Sequence, residues 1–247
     1  MSISSPTPER ADYGIDAPHV VIRFLTIGAV AIPLGIASRA FLGPRQPWFA
    51  MGISIGVSFV LTALLMVWGS KVGKLRLRER LMDGLALRGD ETVLDVGCGR
   101  GLMLIGAAKR LRTGKAVGID LWQTEDQSGN NPDTTLRNAH AERVADRIEI
   151  KTGDARQLPF EDGTFDAVVS SWALHNIYDP AGREKALREI VRLLKPGGRL
   201  AIVDIRHTAE YERVLRENDL VDVKRSRPNF CFLIPSFRVT GTKPVQS

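Results

Sequence analysis

Apolar positions along this chain follow two rhythms, one continuous and one periodic. No charged residue occurs between Gln46 and Ser70, and residues 48–69 read WFAMGISIGVSFVLTALLMVWG. As a helix rising 1.5 Å per residue, this segment spans a hydrocarbon layer of about 30 Å. Trp48 and Trp68 would then lie one at each interface, where indole rings are favoured. The preceding run, FLTIGAVAIPLGIAS between Arg23 and Arg39, is shorter. It crosses the same layer only if both arginines snorkel and residues 20–22 and 40–41 extend it. Pro33 predicts a kink in the first helix, and Gly52 with Gly56 forms a GxxxG spacing that permits close helix approach. A pair of buried helices in a soluble protein is the competing reading, but a soluble core helix rarely stays uncharged over this length.

From Leu77 onward the rhythm becomes periodic. Leu77, Leu81, Met82 and Leu85 share one helical face ahead of the β-branched run ETVLDVGCG. Strand-like segments follow at 92–96, 116–120, 148–151, 167–170 and 200–204. Helix-like ones open at 101–102 and run over 135–144 and 183–194. The last of these carries Leu187, Ile190, Val191 and Leu194 at i, i+3, i+4, i+7, with Glu184 and Arg188 paired on the wet side. Lys195-Pro196-Gly197-Gly198 stops it, since proline cannot continue a helix and glycine accepts a left-handed cap. Such alternation predicts an α/β fold, a mostly parallel sheet with helices on both faces. The domain boundaries expected are a polar tail over 1–19, a two-helix membrane hairpin over 20–69, a basic linker and helix over 70–88, and the α/β domain over 89–247.

Composition supports a folded chain: 44% of the 247 residues are hydrophobic and 25% charged, which excludes wholesale disorder. The net charge of +6 first suggests a nucleic-acid partner, but residues 1–80 hold nine Lys/Arg against four Asp/Glu and the remainder is nearly neutral. The α/β part therefore lacks a phosphate-neutralising surface, and no nucleic acid is expected. Lys71, Lys74, Arg76, Arg78 and Arg80 crowd the end of the second apolar run, against Arg39 and Arg45 in the hairpin loop. By the bias of basic residues toward the cytoplasm, the N-terminus and the α/β domain are expected inside. Some 18 mostly polar residues precede the first run and no small-x-small cleavage site follows it, which argues against a signal peptide. Cys98 and Cys231 match no metal-ligand spacing and suggest, if anything, a reducing compartment; no metal site is expected.

The chemistry concentrates at Asp95-Val96-Gly97-Cys98-Gly99-Arg100-Gly101, a strand-to-helix turn where a ligand can approach the backbone and meet a helix N-terminus. The spacing is GxGxG, with Leu102 where a dinucleotide fingerprint wants glycine, and no GK[ST] follows for a nucleoside triphosphate. About twenty residues on, Asp120 ends the next strand, where a carboxylate can accept hydrogen bonds from two vicinal ribose hydroxyls. Asp154, in Thr152-Gly153-Asp154-Ala155, ends the strand after that and could accept from an exocyclic amine. Three carboxylates and no lysine describe a ligand with a nucleoside and positive charge but no phosphate.

VLDVGCGRG, GID, TGDARQLPFEDGTFDAVVSSWALHNI and LLKPGGRLAIVDI, in this order, resemble the consecutive motifs of class I S-adenosylmethionine-dependent methyltransferases, particularly the group containing the ubiquinone and menaquinone methyltransferases. The resemblance covers roughly residues 75–245, including a closing VTGTKP similar to that fold's last strand, and implies a Rossmann-like seven-stranded sheet. It implies that Asp95, Gly97, Gly99 and Gly101 line the methionine and ribose end of S-adenosyl-L-methionine. Asp120 would hold the ribose hydroxyls, and Leu121 or Trp122 would lie against the adenine. Asp154 and the backbone of Ala155 would read the adenine edge, with Ser170 near the methionine moiety. Asp166 is expected to precede its strand and to be structural. The polar insert over 123–133 would close over the cofactor or form a solvated loop.

Methyl transfer from a sulfonium is an in-line displacement with a good leaving group, so holding donor and acceptor in near-attack geometry supplies most of the catalysis. An acceptor that loses a proton needs a base, and His175 in WALHNI is the best-placed candidate. It could equally hydrogen-bond substrate or be structural, and the family assigns it no role. Asp204, Arg206, His207, Asn176 and Tyr178 fall at the same edge. The hairpin implies an amphipathic or membrane-resident acceptor, or a membrane protein partner. The expected activity is methyl transfer to a small hydrophobic acceptor. The other readings are a catalytically silent adenosyl-cofactor-binding module that recruits partners at the membrane, and a nicotinamide-dependent oxidoreductase, against which the glycine spacing argues.

Overall fold

The computed structural model describes residues 10–43, 47–123, 130–230 and 234–245. The chain divides into two compact units: residues 14–74, and residues 75–247 together with the segment up to Tyr13. Arg45, Gln46 and Cys231 lie outside the described residues, as do residues 124–129 of the polar insert.

The first unit is a hairpin of α1 (Pro18–Leu42), which runs on through Pro33, and α2 (Trp48–Trp68). Glycines on both helices set their separation. A Cβ added at Gly52 would lie 2.6 Å from Gly35 Cα, one at Gly56 would collide with the Ile32 side chain, and one at Gly28 with that of Val60. The close approach thus uses Gly28 and Gly35 of α1 as well as the GxxxG pair of α2. Phe24 and Phe59 meet edge to face at 5.1 Å. The outer faces are apolar, with Ile22, Leu34, Val57 and Leu64 exposed. The hydroxyls of Thr26, Ser54 and Thr62 each donate to a carbonyl four residues back in their own helix, leaving few free polar groups on these faces. Both helices are long and apolar enough to cross a membrane.

A π-helical turn, Gly69–Gly73, follows α2. Next to it Lys74 Nζ donates to Gly14 O at 2.9 Å and lies 3.4 Å from Asp16 Oδ1, while the Asp16 N–H donates to Ser70 Oγ at 2.9 Å. Arg78, in the second unit, pairs with Glu79 at 2.7 Å. The basic cluster at the end of the second apolar run is therefore partly neutralised, and Lys71, Arg76 and Arg80 are its solvent-facing members.

The second unit is built on seven strands: β1 (Thr92–Val96), β2 (Lys115–Asp120), β3 (Ile148–Thr152), β4 (Phe165–Ser171), β5 (Leu194–Asp204), β6 (Val221–Arg225) and β7 (Phe237–Thr242). Their spatial order is β3-β2-β1-β4-β5-β7-β6, with only β7 antiparallel to its neighbours. This is the Rossmann-like, mostly parallel seven-stranded sheet the sequence predicts. Central strands are buried on both faces, which is why AVV reads as an unbroken apolar run and VLDV as one interrupted only by Asp95. Against one face sit α3 (Lys74–Leu85), α4 (Leu102–Ala108) and α5 (Pro132–Ala141), where Leu81, Met82 and Leu104 join Val93, Val169 and Val203 in one core. Against the other lie α6 (Pro180–Leu193) and α7 (Thr208–Glu217), where Leu187, Ile190 and Tyr211 join Leu94, Val168 and Ile202. Each such fully buried side chain contributes on the order of 1.5–3 kcal/mol.

Two boundaries differ from the sequence reading. The Lys-Pro-Gly-Gly segment is the start of β5 and not only a stop: Gly197 N–H donates to Lys243 O and Lys243 N–H to Gly198 O, at 2.8 and 2.9 Å. Lys243 Nζ also reaches the carbonyls of Val191 and Leu194, at 3.0 and 2.8 Å, satisfying acceptors left open where α6 ends. Asp166 lies inside β4, where Oδ2 accepts from the Thr92 N–H and from Lys195 Nζ, both at 2.8 Å. Its role is structural, as expected.

Candidate functional site

β1 ends at Val96, and the chain turns through the glycine loop into α4. Gly97, Gly99 and Gly101 take φ of +73°, +50° and +83°, a region that penalises any side chain. A Cβ at Gly97 would also strike the Ala173 side chain, and one at Gly101 would lie 2.8 Å from Thr135 Cγ2. The loop is tied to the end of β2. Gly97 and Cys98 N–H both donate to Ile119 O, and Gly99 N–H donates to Asp120 Oδ2 at 2.8 Å. Cys98 itself is buried in the core beneath, where desolvation holds its thiol well above the usual range.

Asp95 Oδ2 accepts from the Leu104 N–H at 2.8 Å, at the N-terminal end of α4. Its Oδ1 is buried and has no hydrogen-bond partner among the described residues. Burial, aided by the nearby charge of Asp120 and opposed by the Leu104 N–H, pushes this carboxyl up to about 7.

Asp120 is half-buried. Besides Gly99, it accepts through Oδ1 from the Trp122 N–H at 2.7 Å and from Asn130 Nδ2 at 3.3 Å. Leu121 is exposed. Trp122 takes φ +59°, lies partly against the core, and donates from Nε1 to Thr152 Oγ1 at 2.9 Å. Ser170 is buried at the end of β4, its hydroxyl donating to Val96 O at 2.8 Å. Asp154, partly exposed, is already engaged: Arg156 forks onto both its oxygens at 2.6–3.0 Å, and the Arg156 N–H adds a bond at 2.8 Å. The Arg156 hydrogen bonds hold this carboxyl below its ordinary value. Ala155 packs against the core beside it.

A second group forms past the ends of β4 and β5. His175 lies in the 3₁₀ turn Leu174–Asn176 with Nδ1 2.6 Å from Asp204 Oδ1, and its N–H donates to Asp204 Oδ2 at 3.1 Å. Asp204 is fully buried and also accepts from Tyr211 Oη at 3.2 Å and from the Ile205 N–H at 2.8 Å. Burial first, then the Asp204 charge, drives the Tyr211 phenol far up, so it stays a proton donor. Nδ1 is buried at ion-pair distance from the carboxylate without the alignment of a hydrogen bond, which leaves Nε2 as the nitrogen open to an acceptor. Arg206, His207 and Tyr178 are exposed and stand outside this group.

The structure thus brings the glycine loop, Asp95, Asp120 and Ser170 together at the carboxyl ends of β1, β2 and β4, and His175 with Asp204 at β4 and β5. Sequence reasoning missed Asn130, Arg156 and Tyr211. Arg156 carried a signal, since a cation two residues after a loop carboxylate can fold back on it; Asn130 and Tyr211 carried none. Non-glycine residues with positive φ, Trp122, Trp172 and His207, recur just past β2, β4 and β5, with φ of 59°, 55° and 58°. Such strain concentrates where an edge is shaped for a ligand.

The family described as methyltransferase domain matches residues 94–202. The ubiquinone/menaquinone biosynthesis C-methyltransferase UbiE of Roseobacter denitrificans is 37% identical over 127 residues, 51% of this chain and 47% of that protein. The demethylmenaquinone methyltransferase of Symbiobacterium thermophilum is 37% identical over 118 residues, 47% of this chain and 43% of that one. The chain therefore spans about half the length of the curated relatives it matches. Among solved structures, a SAM dependent methyltransferase from Aquifex aeolicus superposes with a TM-score of 0.54 at 22% identity, over 70% of this chain and 93% of that one. The last likeness bears on fold alone.

Proposed function

We propose that this chain, which belongs to the class I S-adenosylmethionine-dependent methyltransferases through its residues 94–202, transfers a methyl group to a small amphipathic acceptor at a membrane surface. The observation that carries the reading is the Asp120–Gly99 bond beside a buried Asp95 oxygen that lacks a partner. These residues fit the donor. The glycine loop turns tightly with positive φ at all three glycines, two carboxylates face that turn, and neither carboxylate is neutralised by a lysine or arginine among the described residues.

S-adenosyl-L-methionine, when bound, supplies a methyl group on a cationic sulfur. Asp120 keeps one acceptor site on Oδ2 for a ribose hydroxyl and gains a second where Asn130, at 3.3 Å, gives way, while the Gly99 and Trp122 N–H groups fix the carboxylate plane. Asp95 sets negative charge opposite the cationic methionine end, and the glycine loop lets the backbone close on the ligand. Trp122, held by Thr152, offers an aromatic wall for the adenine. Asp154 and the Ala155 backbone would read the adenine edge once Arg156 shares its hold on the carboxylate. Ser170 positions the β4 end beneath the methionine moiety. His175, oriented by Asp204, would accept a proton or a hydrogen bond from the acceptor.

The hairpin supports the choice of acceptor. Two helices with apolar outer faces, α2 uncharged and α1 charged only at Arg23 and Arg39, fit a bilayer, and a hairpin so placed confines the α/β unit to the lipid surface, on the cytoplasmic side by the excess of Lys71, Arg76 and Arg80. Confinement raises the encounter rate with anything partitioned there.

Two measurements test this. S-adenosylhomocysteine, and not NAD, is expected to raise the melting temperature, because a ligand that binds only the folded state stabilises it. Purified protein, labelled methyl donor and a membrane lipid extract are expected to yield a labelled lipid-soluble product. Binding without product would leave a silent cofactor-binding module, and stabilisation by NAD instead would overturn the donor assignment.

Asp95 adds a pH signature. A carboxyl raised from about 3.9 in the unfolded chain to about 7 in the folded one leaves the folded protein holding the extra proton between those values. Stability should therefore fall as pH rises from about 4 to about 7 and then level off. Affinity for the cationic donor should strengthen over the upper part of the same window, as Asp95 ionises. Urea unfolding and calorimetric titration between pH 5 and 8 are expected to show both trends, and Asp95→Asn to flatten both. A wild-type affinity that does not change with pH would remove Asp95 from the donor's cationic end.

A further inference from the structure

Beyond the glycine loop and His175, the same carboxyl edge continues over β5, β7 and β6, and there it changes character. Between α3, the end of β5 and the connection from β6 to β7 lies a cavity of about 480 Å³, within the size range of small-molecule sites. Leu77, Leu81 and Val203, all buried, form an apolar floor, and Phe230 stands at the rim with 67% of its surface exposed. Arg80 of α3, Arg227 of the connection and Arg238 of β7 line the rest, and no acidic residue does.

These three guanidiniums contrast with the ion-paired ones of the unit. Arg110, Arg183 and Arg192 are each committed to carboxylates at 2.6–2.9 Å. Arg80, Arg227 and Arg238 make no ion pair among the described residues. Three exposed cations line one cavity whose described lining carries no carboxylate, and an anion seated there gains charge-assisted, planar hydrogen bonds.

We propose that this cavity holds the anionic end, a phosphate or carboxylate, of an amphipathic acceptor whose apolar skeleton lies on Leu77, Leu81 and Val203. The inference deepens the methyltransferase reading and rests on it for the word acceptor. Geometry supports the assignment. Adjacent strands lie about 4.8 Å apart, so β7 is two steps, about 10 Å, from β4 and three, about 14 Å, from β1. An acceptor anchored over β7 therefore presents a second atom near His175 and the donor side only if at least about 10 Å, the lateral strand separation, lies between that atom and its anion. A neutral prenyl chain or a bare small anion meets one requirement and not the other.

The test uses the full chain in detergent, titrated calorimetrically with phenyl phosphate, inorganic phosphate and phenyl glucoside. Phenyl phosphate is expected to bind about tenfold more tightly than inorganic phosphate, and phenyl glucoside to give no measurable heat. Arg227→Ala and Arg238→Ala are each expected to weaken phenyl phosphate by about tenfold, with Arg227→Lys recovering part of the loss, since lysine keeps the charge without the planar fork. Phenyl glucoside binding as well as phenyl phosphate, or arginine variants binding phenyl phosphate like the parent, would overturn the proposal. A short-chain phosphatidylglycerol separates the two sources of such an anion. Competition with phenyl phosphate assigns the site to a lipid headgroup, its failure to a soluble anion, and either result keeps the anion site. S-adenosylhomocysteine affinity, expected unchanged in the arginine variants, reports that the fold is intact. If the parent ignores S-adenosylhomocysteine while phenyl phosphate binds as stated, the donor reading fails and the anion site stands.

Discussion

Asp120→Ala is expected to weaken S-adenosylhomocysteine binding by roughly thirtyfold to several hundredfold, the equivalent of about 2 to 4 kcal/mol for two charge-assisted hydrogen bonds. Two losses combine in that figure. The carboxylate that would accept from the ribose hydroxyls disappears, and so does the acceptor for the Gly99 N–H, the strut that holds the glycine loop against the end of β2. The Trp122 N–H and Asn130 Nδ2 lose the same partner, so the segment leading into the polar insert loosens as well. The two contributions separate in a cycle with the 2′-deoxy analogue of S-adenosylhomocysteine. If Asp120 holds the ribose, the deoxy analogue binds the parent weakly and binds Asp120→Ala no worse than the full ligand does, because the hydroxyl has already lost its acceptor. An equal penalty for the deoxy analogue in both proteins would reduce Asp120 to a loop strut. Unchanged affinity in Asp120→Ala would end the ribose assignment.

The difference between what sequence and structure reveal at this site follows from the range of the interactions. Strand β1 and the glycine loop are legible because their causes are local: a β-branched run buried on both faces, then φ values that only glycine adopts freely. The hairpin is legible for the same reason, since twenty uncharged residues need no partner to declare themselves. What could not be read is set by pairing across the sheet. The insertion of β7 between β5 and β6 is not encoded in FRVTGT itself, and β6, half-exposed at the sheet edge, carries a weak apolar pattern in VDVKR. Asp204 appeared as one of three polar residues leaving β5, and only the packing of α7 against α6 and β6 brings Tyr211 to it and buries it completely. Gly28 and Gly35 were invisible beside the GxxxG of α2 because a seven-residue glycine spacing acquires meaning only opposite a second helix. Arg80, Arg227 and Arg238 are scattered over 158 positions of sequence and become a feature only where α3 meets the β6–β7 connection.

The His175–Asp204–Tyr211 group gives the largest expected effect on turnover. A positioned general base commonly contributes 10²- to 10⁴-fold, so His175→Ala is expected to lower kcat by about that factor with an acceptor that loses a proton. The dissociation constant for S-adenosylhomocysteine should move less than about threefold, because the imidazole contacts Asp204 of β5 and makes no hydrogen bond to Asp95, Asp120 or Ser170. Asp204→Asn tests whether orientation matters apart from the imidazole. It fills the same volume but has one acceptor oxygen where the carboxylate has two, so it keeps either the Ile205 N–H bond made at Oδ1 or the His175 N–H and Tyr211 bonds made at Oδ2, and it no longer sets a charge against Nδ1. A fall in kcat of about ten- to a hundredfold is expected, again with donor affinity retained. Asp204→Ala is a different experiment, for it strands buried donors at about 1–3 kcal/mol each and should cost several kcal/mol of stability, a loss visible as a melting temperature lowered by roughly 10 °C. Tyr211→Phe removes one donor to Asp204 and leaves the imidazole contact intact, so a drop of less than about tenfold is expected. If kcat in His175→Ala stays within about threefold of the parent while stability falls, the histidine holds the β4 end in place and abstracts nothing. If His175→Ala raises the acceptor KM and spares kcat, it binds the acceptor without taking its proton. Only a loss confined to kcat, shared in smaller measure by Asp204→Asn, makes the imidazole the base.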